Sequence, residues 1–220
     1  MADKSTEVAV QQSNTAIVEI KDNNVALTNP YSSTANFQEM FDMAKMLASS
    51  DVIPAQYQGK PMNCLVAIET ANRTGLSADV VMEQLNIIKG KKSWSGEGCQ
   101  MIVQAHPKFS KVKLNWVGEP NTDTWGAYVT AYNKELGEIV KGPTVTVQMA
   151  KDDGWYGRNP KWKSMTELML TYRAYAFFAR TNCASALNGY MTTEEYEDIG
   201  SKTREVDNPF NDVEVVADGN

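Results

Sequence analysis

Apolar positions recur at helical spacing before residue 75 and again after 160, and alternate with polar positions in between. Phe37, Met40, Phe41, Met43, Ala44 and Leu47 repeat at intervals of three and four, which predicts a helix with Asn36 and Glu39 as its capping box. Residues 51–60 read as a loop. Pro61 suits the first turn of a second helix, through Cys64, Leu65, Ala67 and Ile68, and Gly75 suits its stop. Ser77 is the expected cap of a short third helix. Residues 85–89 and 92–94 flank Gly90-Lys91, whose glycine supplies the positive φ of a tight hairpin. A helix over 96–106 precedes strands over 111–117, 124–133 and 137–147; Pro143 lacks a ladder N–H and places the last at an edge. A brief helix over 149–154 and a loop over 155–160 follow. Ser164 and Glu167 predict the start of a long helix over 165–182. Its apolar residues, Met165, Leu168, Met169, Tyr172, Tyr175, Ala176, Phe178 and Ala179, surround most of its circumference, so it is expected to be largely buried. Thr192 and Glu195 predict one last short helix. The fold class is α+β: N-terminal helices and a β-hairpin, a small antiparallel sheet, and a long C-terminal helix packed across it.

Composition changes this picture at the two ends. The chain has 220 residues, enough for one domain, and its 42% hydrophobic content is low, which leaves part of it unpacked. Residues 1–34 read as a flexible arm with a short strand near 16–20, residues 35–199 as the domain, and residues 200–220 as an acidic disordered tail. The net charge of −6 is uneven. Residues 1–35 hold two basic and four acidic side chains, and residues 182–220 hold two basic and nine acidic. The stretch 36–181 holds 17 basic and 14 acidic, a net of +3, so the folded part is mildly basic. Cys64, Cys99 and Cys183 show no CxxC pair and are expected as buried free thiols. No signal peptide or membrane span is evident, and the cytoplasm is the expected location.

Bond-making chemistry finds little support. His106 is the only histidine, which rules out histidine triads and multi-histidine metal sites; before Pro107 it reads as a turn or capping residue. The GKKS run at residues 90–93 fails as a phosphate-binding loop, because Leu85 stands where the leading glycine is required. Gly96 and Gly98 are too few for a dinucleotide fingerprint. The pairs Asp152–Asp153 and Glu194–Glu195 read as solvated or capping acids. No catalytic residue, metal or cofactor is expected, and the chain is not read as an enzyme.

Basic residues instead recur beside aromatic ones. Lys89, Lys91 and Lys92 precede Trp94; Lys108, Lys111 and Lys113 surround Phe109 and lead to Trp116; Lys161 and Lys163 bracket Trp162. Arg173 and Arg180 stand seven residues apart, close to two turns, so both guanidinium groups project from nearly one helix face. Lysines attract phosphates, and exposed aromatic rings stack on bases for ~1–3 kcal/mol each. Lys89, Lys91, Lys92, Trp94, Lys108, Lys111, Lys113, Lys161, Trp162, Lys163, Arg173 and Arg180 form the expected DNA-binding set. For Arg173 and Arg180 the alternative is an internal ion pair with a nearby acid, and Trp116 and Trp125 read as core.

Two blocks then resemble the RecT/Redβ superfamily of phage single-strand annealing proteins. Residues 57–109, YQGKPMNCLVAIETANRTGLSADVVMEQLNIIKGKKSWSGEGCQMIVQAHPKF, are similar to its helical segment, GL turn, hairpin and helix, with Ala78 where the family commonly has proline. Residues 161–199 are similar to its W…M-L-x-x-R-A-x-x-x-x-A-R block and trailing G-x-x-T-x-E-E. The resemblance implies a RecT/Redβ-like fold and ATP-independent annealing of single-stranded DNA in phage homologous recombination. It implies a groove built with Arg173, Arg180 and Lys161 or Lys163, and a homo-oligomeric ring or filament on single-stranded and annealed duplex DNA. A phage exonuclease or host single-strand-binding protein is an implied partner. A protective single-strand binder that does not anneal, and a structural oligomer without DNA function, are the alternatives.

Overall fold

In the computed structural model, which describes residues 33–88 and 90–199, helix α1 runs over Thr34–Ala48. Nearly all of the expected arm, the expected strand near 16–20, Lys89 and the tail lie outside those residues. Ser33 caps α1, its hydroxyl accepting the Asn36 N–H at 3.1 Å, so the cap sits three residues ahead of the expected Asn36. Helix α2, Pro61–Thr74, starts on its proline and stops at Gly75 with φ 75°, a left-handed conformation that glycine adopts without steric cost. It packs on α1 and on α3, Ala78–Gln84, which follows Ser77.

The chain then turns into two small sheets. Strands β1, Leu85–Ile88, and β2, Lys91–Trp94, form the hairpin with Ile88 opposite Lys91. The turn is therefore one residue earlier than the expected Gly90-Lys91 pair. Strand β7, Met191–Thr192, joins β2 in parallel, with Trp94 beside Thr192. That short pairing ties the hairpin to a segment almost 100 residues away; Lys92 and Tyr190, which touch there, are 98 positions apart. The second sheet is antiparallel: β3, Phe109–Val117, β4, Gly126–Asn133, and β5, Glu138–Lys141, with β6, Val145–Thr146, also on β4. Pro143 breaks the expected third strand into β5 and β6, and both lie on the outer side of β4, as its missing N–H requires.

Helices cover one face of this sheet. Ala127, Val129 and Ala131 of β4 are buried, and α4, Gly96–Ala105, and α8, Thr166–Asn182, pack on that side. Gly96 lies so close to Tyr172 that a Cβ would run into its ring, so glycine is what lets α4 approach α8. In chain order, α5, Val147–Asp152, α6, Trp155–Arg158, and α7, Lys161–Ser164, lead from β6 to α8. The expected loop over 155–160 thus contains a helical turn. Ser164 does not cap α8: α7 ends there, its hydroxyl turns back to the Pro160 carbonyl, and Met165 occupies the cap position without a side-chain bond. The helix expected over 165–182 is α8, of 17 residues, but it does not end the described chain, so the long C-terminal helix of the expected fold is not evident. A 3-10 turn at Ala184–Leu187, β7 and α9, Thr193–Ile199, come after it. The architecture is α+β. All three cysteines are buried and free, and burial pushes the Cys183 thiol up to about 11.

Candidate nucleic-acid interface

The strip expected along α8 points inward. Arg173 and Arg180 do share a side of the helix, as seven-residue spacing requires, and both meet Glu195. Arg173 Nη1 lies 3.0 Å from Glu195 Oε1, and the Arg180 guanidinium engages both carboxylate oxygens. Glu195 also accepts the Thr192 N–H at 2.7 Å, while Thr192 Oγ1 accepts the Glu195 N–H at 3.1 Å. The capping box of α9 is thereby the counter-ion of α8. Arg173 is 3% exposed, with its guanidinium 4.2 Å from the Trp155 ring centroid. Burial draws its pKa down from the ordinary guanidinium value, and Glu195 opposes that fall. Of the two readings of this pair, the internal one is what the geometry holds; Arg180, at 36% side-chain exposure, keeps an edge toward solvent.

The two tryptophans expected to face bases are buried instead. Trp94 and Trp162 are both 0% exposed. Trp94 donates its indole N–H to the Leu187 carbonyl at 3.3 Å, and Trp162 packs against Trp155 with centroids 5.8 Å apart. Burying an indole removes roughly 150–250 Å² from water, about 4–6 kcal/mol at ~25 cal/mol per Å², which exceeds the ~1–3 kcal/mol of stacking one base. Of the pair read as core, Trp116 is 41% exposed at the end of β3 and lies against the partly buried Trp125, centroids 5.7 Å apart.

The lysines separate by element. Lys161 and Lys163 are exposed on α7 as Trp162 turns in. Lys91 is exposed on the hairpin, while Lys92 Nζ donates to the Tyr190 hydroxyl at 3.0 Å. Lys108 pairs with Glu135 at 3.3 Å. Lys111 and Lys113 belong to a different setting, the outer face of the four-stranded sheet.

Register assembles that face from three strands. Lys113 stands opposite Thr130, and Thr130 opposite Lys141, so two lysines flank one threonine in a row about 10 Å wide. Asn115 stands opposite Tyr128 and donates to the Thr130 hydroxyl at 2.9 Å. Ser110, Tyr132 and Ile139 form the third row. The Lys141 ammonium lies 4.1 Å from the Tyr128 ring centroid, and that of Lys111 6.0 Å from Tyr132. Strands β3, β4 and β5 carry three lysines and one acid, Glu138, which pairs with Asn133 on the opposite face. Among the described residues, none of the three lysines is in an ion pair. Tyr128, Tyr132 and Lys141 were not among the expected residues. The alternation of GAYVTAYN, which puts Tyr128, Thr130 and Tyr132 on one side, is the signal that reveals them.

Such a face suits a flexible polyanion bearing flat rings. Among the described residues, no group of His, Cys, Asp and Glu side chains is placed to hold a metal ion, and no helix is long and apolar enough to cross a membrane. The chain matches no family model, no curated protein and no solved structure. Its functional reading rests on the residues.

Proposed function

We propose that the protein binds single-stranded DNA on the outer face of the β3–β4–β5 sheet and anneals complementary strands without ATP. The observation that carries this reading is the row Lys113–Thr130–Lys141 set between Tyr128 and Tyr132. Phosphates would meet the ammonium groups, and bases would lie on the tyrosine rings. A cation–π contact at an exposed site is worth ~0.5–1 kcal/mol and a stacked base ~1–3 kcal/mol, so an arriving base displaces Lys141 from Tyr128 and frees it for a phosphate. Stacking occupies the face of a base and leaves its pairing edge open. A second strand then pairs on those edges, and base pairing itself supplies the free energy. Neither contact type carries a sequence code, so binding is sequence-neutral.

The annealing step rests on the resemblance of residues 57–109 and 161–199 to RecT/Redβ proteins, and a RecT/Redβ-like fold is part of the same proposal. Side-by-side protomers on DNA, an exonuclease or single-strand-binding partner, and action in the bacterial cytoplasm belong to the same proposal. The test is annealing of two complementary labelled oligonucleotides without ATP, at two salt concentrations. Acceleration over the protein-free rate, stronger at low salt, is expected. Tyr128→Ala or Tyr132→Ala weakens single-strand binding by ~1–3 kcal/mol, about 5- to 150-fold. Binding without acceleration reduces the function to strand protection; absence of salt-dependent binding removes the reading altogether.

A further inference from the structure

The strand pairing that builds the outer face is interrupted once. From Val117 to Lys113, β3 pairs residue for residue with β4; the register then shifts, and three steps on β3, from Lys113 to Ser110, match two on β4, from Thr130 to Tyr132. This is a β-bulge, and within it Lys111 has a φ of 51°. The bulge has a plain structural purpose. It turns Phe109 to the side opposite Asn133, where the ring is 4% exposed and meets Phe178 edge-on at 5.3 Å; without the extra residue, alternation would send Phe109 outward.

That purpose explains the bulge but not the lysine. A left-handed position favours glycine, and asparagine tolerates it. Among the described residues, the other two non-glycine residues with positive φ are Asn121 and Asn188. Lys111 is the exception, with a long side chain on an unfavourable backbone. It is exposed and in no ion pair, and its ammonium stands over the Tyr132 ring.

We infer that Lys111 is a DNA-binding residue held at the bulge at the expense of stability, where it takes a phosphate of a strand stacked on Tyr132. The inference rests on the reading of this face as a single-strand site. Tyr128 and Tyr132 are four residues apart on β4, roughly 13 Å, against ~3.4 Å per nucleotide of a stacked strand. A strand touching both therefore spans about four nucleotides, with Lys141 serving one end and Lys111 the other.

The experiment compares wild type with Lys111→Gly, Lys111→Asn, Lys111→Arg and Lys113→Ala. It measures melting temperature and the salt dependence of binding to labelled oligothymidine by fluorescence anisotropy. Lys111→Gly and Lys111→Asn are expected to raise the melting temperature by about 2–4 °C. They should also bind more weakly and lower the log–log salt slope by about 0.7. Lys111→Arg keeps the wild-type slope. Unchanged affinity and slope in the Gly and Asn variants, with Lys113→Ala weakened, overturns the role of Lys111 and leaves the face intact. A lower melting temperature in both Gly and Asn variants overturns the stability trade. If wild type itself shows no salt-dependent binding, the reading of the face fails and this inference with it.

Discussion

His106 accepts the backbone N–H of Lys108 through Nδ1 at 3.3 Å, with its ring 5.2 Å from that of Phe109, so the fold selects the neutral imidazole. Burial lowers its pKa first and the Lys108 charge second, while Glu135 opposes both. A histidine depressed in the folded state adds stability above its unfolded value, near ~6.5, and loses it as the pH falls through the folded value. Wild type is therefore expected to lose more melting temperature than His106→Asn between pH 7.5 and about pH 5. Parallel curves for the two proteins would count against this assignment. The same residue-scale logic governs the tryptophans: the lysines beside Trp94 and Trp162 hold the backbone at the surface, yet each indole turns inward because its area is worth more buried than exposed.

At the scale of elements, one carboxylate joins α8, β7 and α9. Glu195 is 5% exposed, and it engages two arginines of α8 and the N–H of Thr192 on β7. Its neighbour Glu194 accepts the Gly96 N–H at 3.2 Å, so the same short segment also fixes the start of α4. Glu195→Ala removes the carboxylate that bridges the buried Arg173 to Arg180 and is expected to cost about 3–5 kcal/mol, read by chemical denaturation. Arg180→Ala, at a half-exposed position, costs less. A loss below about 1 kcal/mol for Glu195→Ala would mean that the triad is not what holds these elements together. The paired Thr192 and Glu195 were legible as a helix start because a capping box is a local pattern. Their second role was not, since nothing in the sequence near Glu195 announces arginines 15 and 22 positions earlier.

For the whole molecule, the lysines of the sheet's outer face and the acidic ends of the sequence carry opposite charge. Residues 200–220 hold two basic and five acidic side chains. If their charge competes with DNA for the lysines, deleting them tightens single-strand binding at low salt, and the gain disappears as salt shortens the reach of charge to about 8 Å. Unchanged or weaker binding by the deletion at low salt rejects the competition. What the sequence determined by itself is local in origin: Pro61 and Gly75 bound α2, Gly90 marks the hairpin, Pro143 marks the edge, and seven-residue spacing turns Arg173 and Arg180 to one side. Each rests on a backbone preference or a period that acts within a few residues. The tertiary structure decided which partner those arginines met, which aromatic rings were buried, and which lysines stood together. Lys113, Thr130 and Lys141 become neighbours only through strand register, and Glu195 reaches α8 only because β7 pairs with β2. Burial and pairing depend on surfaces brought together from distant parts of the chain, and no local pattern encodes them.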